Sequence, residues 1–185
     1  MSKYWSKITA AIEPYVYGEQ PKGRKYIKLN TNESPYSPSP KVLEAIKRAA
    51  NSNLRLYPDP DCEELREIIA NYYSINKNEV FIGNGSDEVL ALSFLTFFNP
   101  GDTIIFPEIS YSFYPVYAEL YGINYINAKL EDDFSIQVSD FFRENGGIVI
   151  PNPNAPTGRY MDAEEIKRIL EFNSHRVVII DEAYI

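Results

Sequence analysis

From Ser74 onward the chain alternates short apolar runs with amphipathic stretches, and few architectures accept that rhythm. Apolar runs at Val80-Phe81-Ile82, Thr103–Phe106, Asn124–Asn127, Gly147–Ile150 and Arg176–Ile180 have strand length and β-branched content. Between them, 86–98, 112–121, 136–144 and 162–172 read as helices, the last opened by an Asp162/Glu165 capping box. Gly122 follows its helix as a C-terminal cap. Strand–helix alternation at this spacing predicts an α/β fold with a doubly wound, mostly parallel sheet. In such sheets ligands bind outside the carboxyl ends of the strands.

The first half follows other rules. Prolines and glycines interrupt residues 1–39 too often for long helices, which predicts an extended arm. Ser39-Pro40 then caps a helix whose Val42, Leu43, Ile46, Ala49 and Ala50 share a face. Tyr57-Pro58-Asp59-Pro60 forms a rigid turn, and Asp61 with Glu64 is expected to box the start of a helix carrying Leu65, Ile68, Ile69 and Tyr72.

Composition excludes several classes. A net charge of −8 argues against a nucleic-acid or anionic-membrane surface, which needs basic patches. With one histidine, His175, and one cysteine, Cys62, neither an internal disulfide nor a zinc-ligand cluster is expected. No apolar run reaches membrane-spanning length and no secretory leader opens the chain, so a cytoplasmic protein is expected.

Three strand-end segments carry candidate chemistry. Gly83-Asn84-Gly85-Ser86-Asp87-Glu88 joins a strand to a helix. Its glycines permit close backbone approach, and the helix start offers free amides with about +0.5 charge to an anion. Ser86 adds a hydroxyl, whereas Asp87 opposes an anion unless its carboxylate turns elsewhere. Taken alone, the motif fits a capped turn better than a phosphate site. Tyr111, after the Thr103–Phe106 run, offers a flat face to an aromatic ring, although packing alone would account for it. Asp181 ends the apolar run 176–180, at the strand end where such sheets bind ligands. A carboxylate there could hold a basic ring nitrogen protonated, although a helix cap or a partner for a surface arginine would also account for Asp181. Tyr184, three residues on, would reach a neighbouring ring oxygen.

Together with Asn152-Pro153-Asn154-Ala155-Pro156-Thr157-Gly158, these segments resemble the fold-type I aminotransferases that use pyridoxal 5′-phosphate. Leu29-Asn30-Thr31-Asn32-Glu33-Ser34-Pro35-Tyr36 and Leu56-Tyr57-Pro58-Asp59 resemble the histidinol-phosphate aminotransferase branch, over its N-terminal portion. The resemblance implies an N-terminal arm at 1–39, a helical segment of the small domain and linker at 40–74, and a partial cofactor-binding large domain at 75–185. It implies Gly85, Ser86 and Asp87 at the cofactor phosphate, Tyr111 stacked on the ring, Asp181 at the ring nitrogen, and Asn154 and Tyr184 near the phenolate oxygen. Tyr57 would reach the phosphate of a neighbouring subunit in a homodimer. Tyr15 and Asn32 would meet the substrate, an amino donor or a 2-oxo acid. No metal is implied.

The chain departs from that pattern in three places. The family commonly has asparagine directly before Pro-Thr-Gly; here Ala155 stands there and Asn154 lies one residue earlier. Position 17 is tyrosine where proline is frequent. The family also joins its cofactor to a lysine some tens of residues past Asp-Glu-Ala-Tyr, and no lysine follows Asp181 here. The expectation is therefore a fragment that is itself inactive as a transaminase, binds the cofactor non-covalently, and has open sheet edges covered by dimerisation, swapping or altered packing. The alternatives are a related lyase or decarboxylase, similar to the threonine-phosphate decarboxylases, and a truncated, non-catalytic remnant.

Overall fold

A computed structural model describes residues 3–13, 18–19, 22–23 and 26–184. Contacts divide the chain into two units, Met1–Tyr15 with Gly83–Ile185, and Val16–Ile82. In the first unit a short helix, α1 (Lys7–Ala11), starts at Ser6, whose hydroxyl accepts the Thr9 N–H.

The second unit is built on two helices, α2 (Pro40–Ala49) and α3 (Glu63–Tyr73). Ser39 caps α2 through the Val42 N–H, with Pro40 at the first helical position, as expected. Val42, Leu43 and Ile46 nevertheless stay exposed. The start of α3 corrects the expected Asp61/Glu64 box. Cys62 precedes the helix in a left-handed conformation (φ 47°), and the carboxylate of Asp59 accepts the N–H groups of Asp61 and Glu63. The Pro58-Asp59-Pro60 turn delivers that carboxylate two residues earlier than the spacing suggested.

Val80–Ile82, expected as a strand, forms none. Its backbone is taken locally: the Arg66 guanidinium donates to the Val80 and Lys77 carbonyls at 3.0 and 2.9 Å. A three-residue apolar run without a neighbouring strand gains no ladder.

The remaining elements are α4 (Gly85–Phe97), β1 (Thr103–Pro107), α5 (Phe113–Tyr121), β2 (Asn124–Ala128), β3 (Gly147–Pro151), α6 (Ala163–Phe172) and β4 (Val178–Asp181). All four strands are parallel, in the order β2-β1-β3-β4. Side chains alternate across the sheet with period two. Ile104, Phe106 and Val149 join Leu90, Phe94, Tyr114 and Tyr117 of α4 and α5. Ile105, Ile148 and Ile150 join Phe141, Met161 and Ile169 in a second cluster that includes α6. Helices thus cover both faces, and every residue of β3 is buried. The expected α/β parallel fold is the observed one, and the Asp162/Glu165 box and the Gly122 cap are both present.

One expected helix is corrected. Residues 136–144 contain only a 3₁₀ turn, Val138–Phe141. Ile136 bridges antiparallel to Leu130, so the first part of that stretch is committed to a hairpin. Val138 and Phe141 are buried three residues apart, a spacing that one 3₁₀ turn satisfies as well as an α-helix. Among the described residues no helix is long and apolar enough to cross a membrane.

Candidate cofactor site

Parallel pairing sets Asp181 beside Pro151 at the carboxyl ends of β4 and β3, and the Asn152 N–H donates to the Asp181 carbonyl at 2.9 Å. The carboxylate is held at both oxygens. Tyr114 donates its hydroxyl to Oδ2 at 2.7 Å, and the Ala183 N–H reaches Oδ1 at 3.2 Å. Tyr114 is fully buried, and burial, followed by the neighbouring Asp181 charge, pushes its phenol far above the ordinary value. It therefore remains a donor throughout the working pH range.

The start of α4 lies beside this point. Gly85 has φ +83°, and nothing lies within 4 Å of the position a Cβ would take. Asn84 does not cap the helix with its side chain, and the Gly85 N–H donates to the Gly83 carbonyl at 3.1 Å. That leaves the amides of Ser86 and Asp87 as the first-turn donors without an intrahelical acceptor. The Asn84 N–H itself donates to Glu88 at 2.6 Å. Asp87, the acid that would oppose an anion here, accepts the Tyr111 hydroxyl at 2.5 Å, and its carbonyl accepts the Tyr117 hydroxyl at 3.1 Å. Its carboxylate is engaged by the turn before α5, and its backbone carbonyl by α5 itself. Burial, and then the Asp87 charge, raises the Tyr117 phenol as well.

A small cavity of about 80 Å³ joins these parts, with Ser86, Tyr111, Ala155, Asp181 and Tyr184 in its wall. The loop from Asn152 to Met161 forms another side. Buried Asn152 clips that loop closed, donating to the Met161 carbonyl at 3.0 Å and accepting its N–H at 2.8 Å. Asn154 is buried within the loop, donating to the Ile109 carbonyl at 2.9 Å, while its Oδ1 is buried without a hydrogen-bond partner. Its neighbours Pro153 and Ala155, rather than Asn154, line the cavity.

The structure therefore brings Ser86, Tyr111, Asp181 and Tyr184 around one space, with Gly85 and Asp87 at its edge. Tyr57 and Asn32 belong to the other unit, where Tyr57 is fully exposed. Tyr15 lies outside the described residues. Sequence reasoning missed Tyr114 and Asn152. The available signal was the tyrosine spacing: Tyr114 and Tyr117, three apart, share a face of α5, and Tyr111 stands three residues earlier in the turn before it.

A larger cavity, about 670 Å³, opens at the opposite, amino ends of the strands. Its wall carries the acids Asp102 and Glu144, beside His175 and Arg176. Asp102 is already engaged by the backbone and side chain of Asn99, and among the described residues of the wall no aromatic ring other than Phe97 and His175 is offered for stacking. The smaller space has the better donor set: amides and a hydroxyl at one end, a fixed carboxylate at the other, and a tyrosine ring in the wall. That set fits an aromatic ring bearing an anion and a basic ring nitrogen.

Residues 24–185 match the family model described as aminotransferase class I and II. A histidinol-phosphate aminotransferase of Clostridium botulinum (strain Okra / Type B1) is 68% identical over the whole chain, which covers 52% of that protein. The chain thus spans about half the length of the curated relatives it matches. Among solved structures, a Sinorhizobium meliloti histidinol-phosphate aminotransferase in complex with pyridoxal-5′-phosphate superposes with a TM-score of 0.77 at 22% identity, over 83% of this chain and 43% of that one. A Thermus thermophilus aspartate aminotransferase mutant gives 0.81 at 20% identity, over 98% of this chain and 51% of that one. At such identities the structures establish the shared fold.

Proposed function

The chain belongs to the aminotransferase class I and II family, and from that premise we propose that it carries the cofactor-binding part of a histidinol-phosphate aminotransferase. The enzyme would move an amino group between L-histidinol phosphate and 2-oxoglutarate in histidine biosynthesis, using pyridoxal 5′-phosphate. The supporting observation is the Asp181 carboxylate, held at both oxygens and sharing one cavity with Ser86 and Tyr111.

When bound, the cofactor supplies an electron-withdrawing pyridinium ring. Asp181 keeps the proton on the ring nitrogen. Ser86 and the Asp87 amide receive the phosphate at the turn that Gly85 opens, while the Asp87 carboxylate stays bonded to Tyr111. Tyr111 orients the ring by contact with its face. Tyr184 donates to the phenolate oxygen; Ala155 has no polar side chain to share that contact, and the Asn154 side chain is bonded to the Ile109 carbonyl. Tyr15 and Asn32 contribute to the substrate side. The protein works in the cytoplasm as a homodimer in which exposed Tyr57 reaches the partner's phosphate site.

The test is a fluorescence-monitored titration of the chain with pyridoxal 5′-phosphate, against Asp181→Ala and against pyridoxal without its phosphate. Saturable binding is expected. Either the substitution or the missing phosphate should weaken it about tenfold or more, the loss of a charge-assisted contact. Absence of saturation, or indifference to both changes, overturns the cofactor reading. Perturbation of the bound spectrum by L-histidinol phosphate and not by L-threonine phosphate supports the substrate; the reverse favours a decarboxylase.

A further inference from the structure

We propose that Tyr114 is a positioning residue that sets the rotation of the Asp181 carboxylate before the cofactor arrives; this rests on the cofactor reading above.

The ring of Tyr114 is packed on all sides. It stacks near Phe94 with centroids 6.2 Å apart, and meets Phe106 edge-on at 5.7 Å and Tyr111 at 5.8 Å. A phenylalanine would make the same ring contacts. The hydroxyl is therefore the one feature that packing does not explain, and burying it is costly unless it is bonded. Its partner is the carboxylate of a residue 67 positions away, on a different element.

That bond has a geometric consequence. A carboxylate held at one oxygen can pivot about its Cβ–Cγ bond. Asp181 is held at Oδ2 by the phenol and at Oδ1 by the Ala183 N–H, so the plane of the group is fixed. Each carboxylate oxygen has a second lone-pair site, and Asp181 lines the cavity shared with Ser86 and Tyr111. Tyr114 takes one accepting site and leaves the others for the ring nitrogen. A polar group locked by a buried neighbour incurs no ordering cost when its ligand binds. Tyr111 and Tyr117 donate to Asp87, while Tyr114 donates to the Asp181 carboxylate.

The experiment is a double-mutant cycle on the whole chain. Wild type, Tyr114→Phe, Asp181→Ala and the double variant are titrated with pyridoxal 5′-phosphate, following both affinity and the absorption band of the bound ring. Thermal unfolding of each ligand-free chain is recorded alongside. In the wild-type background Tyr114→Phe is expected to weaken binding about 3- to 10-fold, the scale of one hydrogen bond, and to move the absorption band. In the Asp181→Ala background the same change should alter affinity less than about twofold, because its target is gone.

Equal losses in both backgrounds would assign Tyr114 to packing and overturn the role. So would unchanged affinity and spectrum in Tyr114→Phe, or a Tyr114→Phe chain that fails to fold. Failure of wild type itself to bind overturns the cofactor reading and this role together; normal wild-type binding with an unaffected variant overturns the role alone.

Discussion

Asn152→Ala removes the clip that closes the loop from Asn152 to Met161. The wild-type side chain makes two bonds to one residue, accepting the Met161 N–H at 2.8 Å and donating to its carbonyl at 3.0 Å. Asn152 is 2% exposed and Met161 5%, so water does not readily replace the lost partner. Two neutral bonds contribute about 1 kcal/mol each, and each buried group left without a partner costs about 1–3 kcal/mol. Allowing for partial relaxation, the expected loss is about 2–4 kcal/mol. With a urea slope of roughly 2 kcal/mol per molar, the midpoint should fall by about 1–2 M. Asn124→Ala is the matched control, because exposed Asn124 makes one bond, to the Gly101 carbonyl at 3.0 Å, and should cost no more than about 1 kcal/mol. The assay is urea denaturation followed by far-ultraviolet circular dichroism. Equal losses in the two variants, or an Asn152→Ala loss under about 0.5 kcal/mol, would refute the argument that burial sets the cost.

Three other outcomes are expected. Gly147→Ala would bring a Cβ to 2.2 Å from the Phe98 ring at the start of β3, and should cost about 1–3 kcal/mol or more; a chain as stable as wild type contradicts this. The Glu63 and Asp61 N–H groups hold the Asp59 carboxyl below its ordinary value of 3.8, so its contribution to α3 is complete above that pH and is lost as pH falls through the lower folded value. An acid titration of α3 helicity should show that loss in wild type and lack it in Asp59→Asn; identical curves refute the cap. Burial, then Asp181, raises the Tyr114 phenol above its ordinary value of 10, so that stability is full below that pH and declines as pH rises past it. Tyr114→Phe should show a shallower alkaline decline in urea midpoint, and parallel declines would count against the assignment.

Much of the fold was legible because burial and chemistry agreed. Thr103–Pro107, Asn124–Ala128 and Gly147–Pro151 combine apolar or β-branched residues with turn residues on both sides, and each found a parallel neighbour. Val80–Ile82 has similar composition without a neighbour, and local periodicity does not report pairing. The stretch 136–144 failed for a related reason: Ile136 is apolar in a hairpin bridge just as it would be in a helix. At the site, Ser86, Tyr111, Asp181 and Tyr184 were readable because each sits where a strand ends or a helix begins, and those ends gather on one side of a parallel sheet. The role of Asp87 turned on the direction of one carboxylate, which Tyr111 decides from 24 residues away. The tyrosine spacing marks Tyr114 without naming its target, since its hydroxyl meets Asp181 only across the fold.

The central claim is that the carboxyl ends of β3 and β4 and the start of α4 hold one cofactor between them. A crystal structure of the chain soaked with pyridoxal 5′-phosphate tests it directly. The ring nitrogen is expected within hydrogen-bond distance of Asp181, and the phosphate oxygens on the Ser86 hydroxyl and the amides of Ser86 and Asp87. Density for the cofactor in the cavity at the amino ends of the strands, beside Asp102 and Asn145, would contradict it.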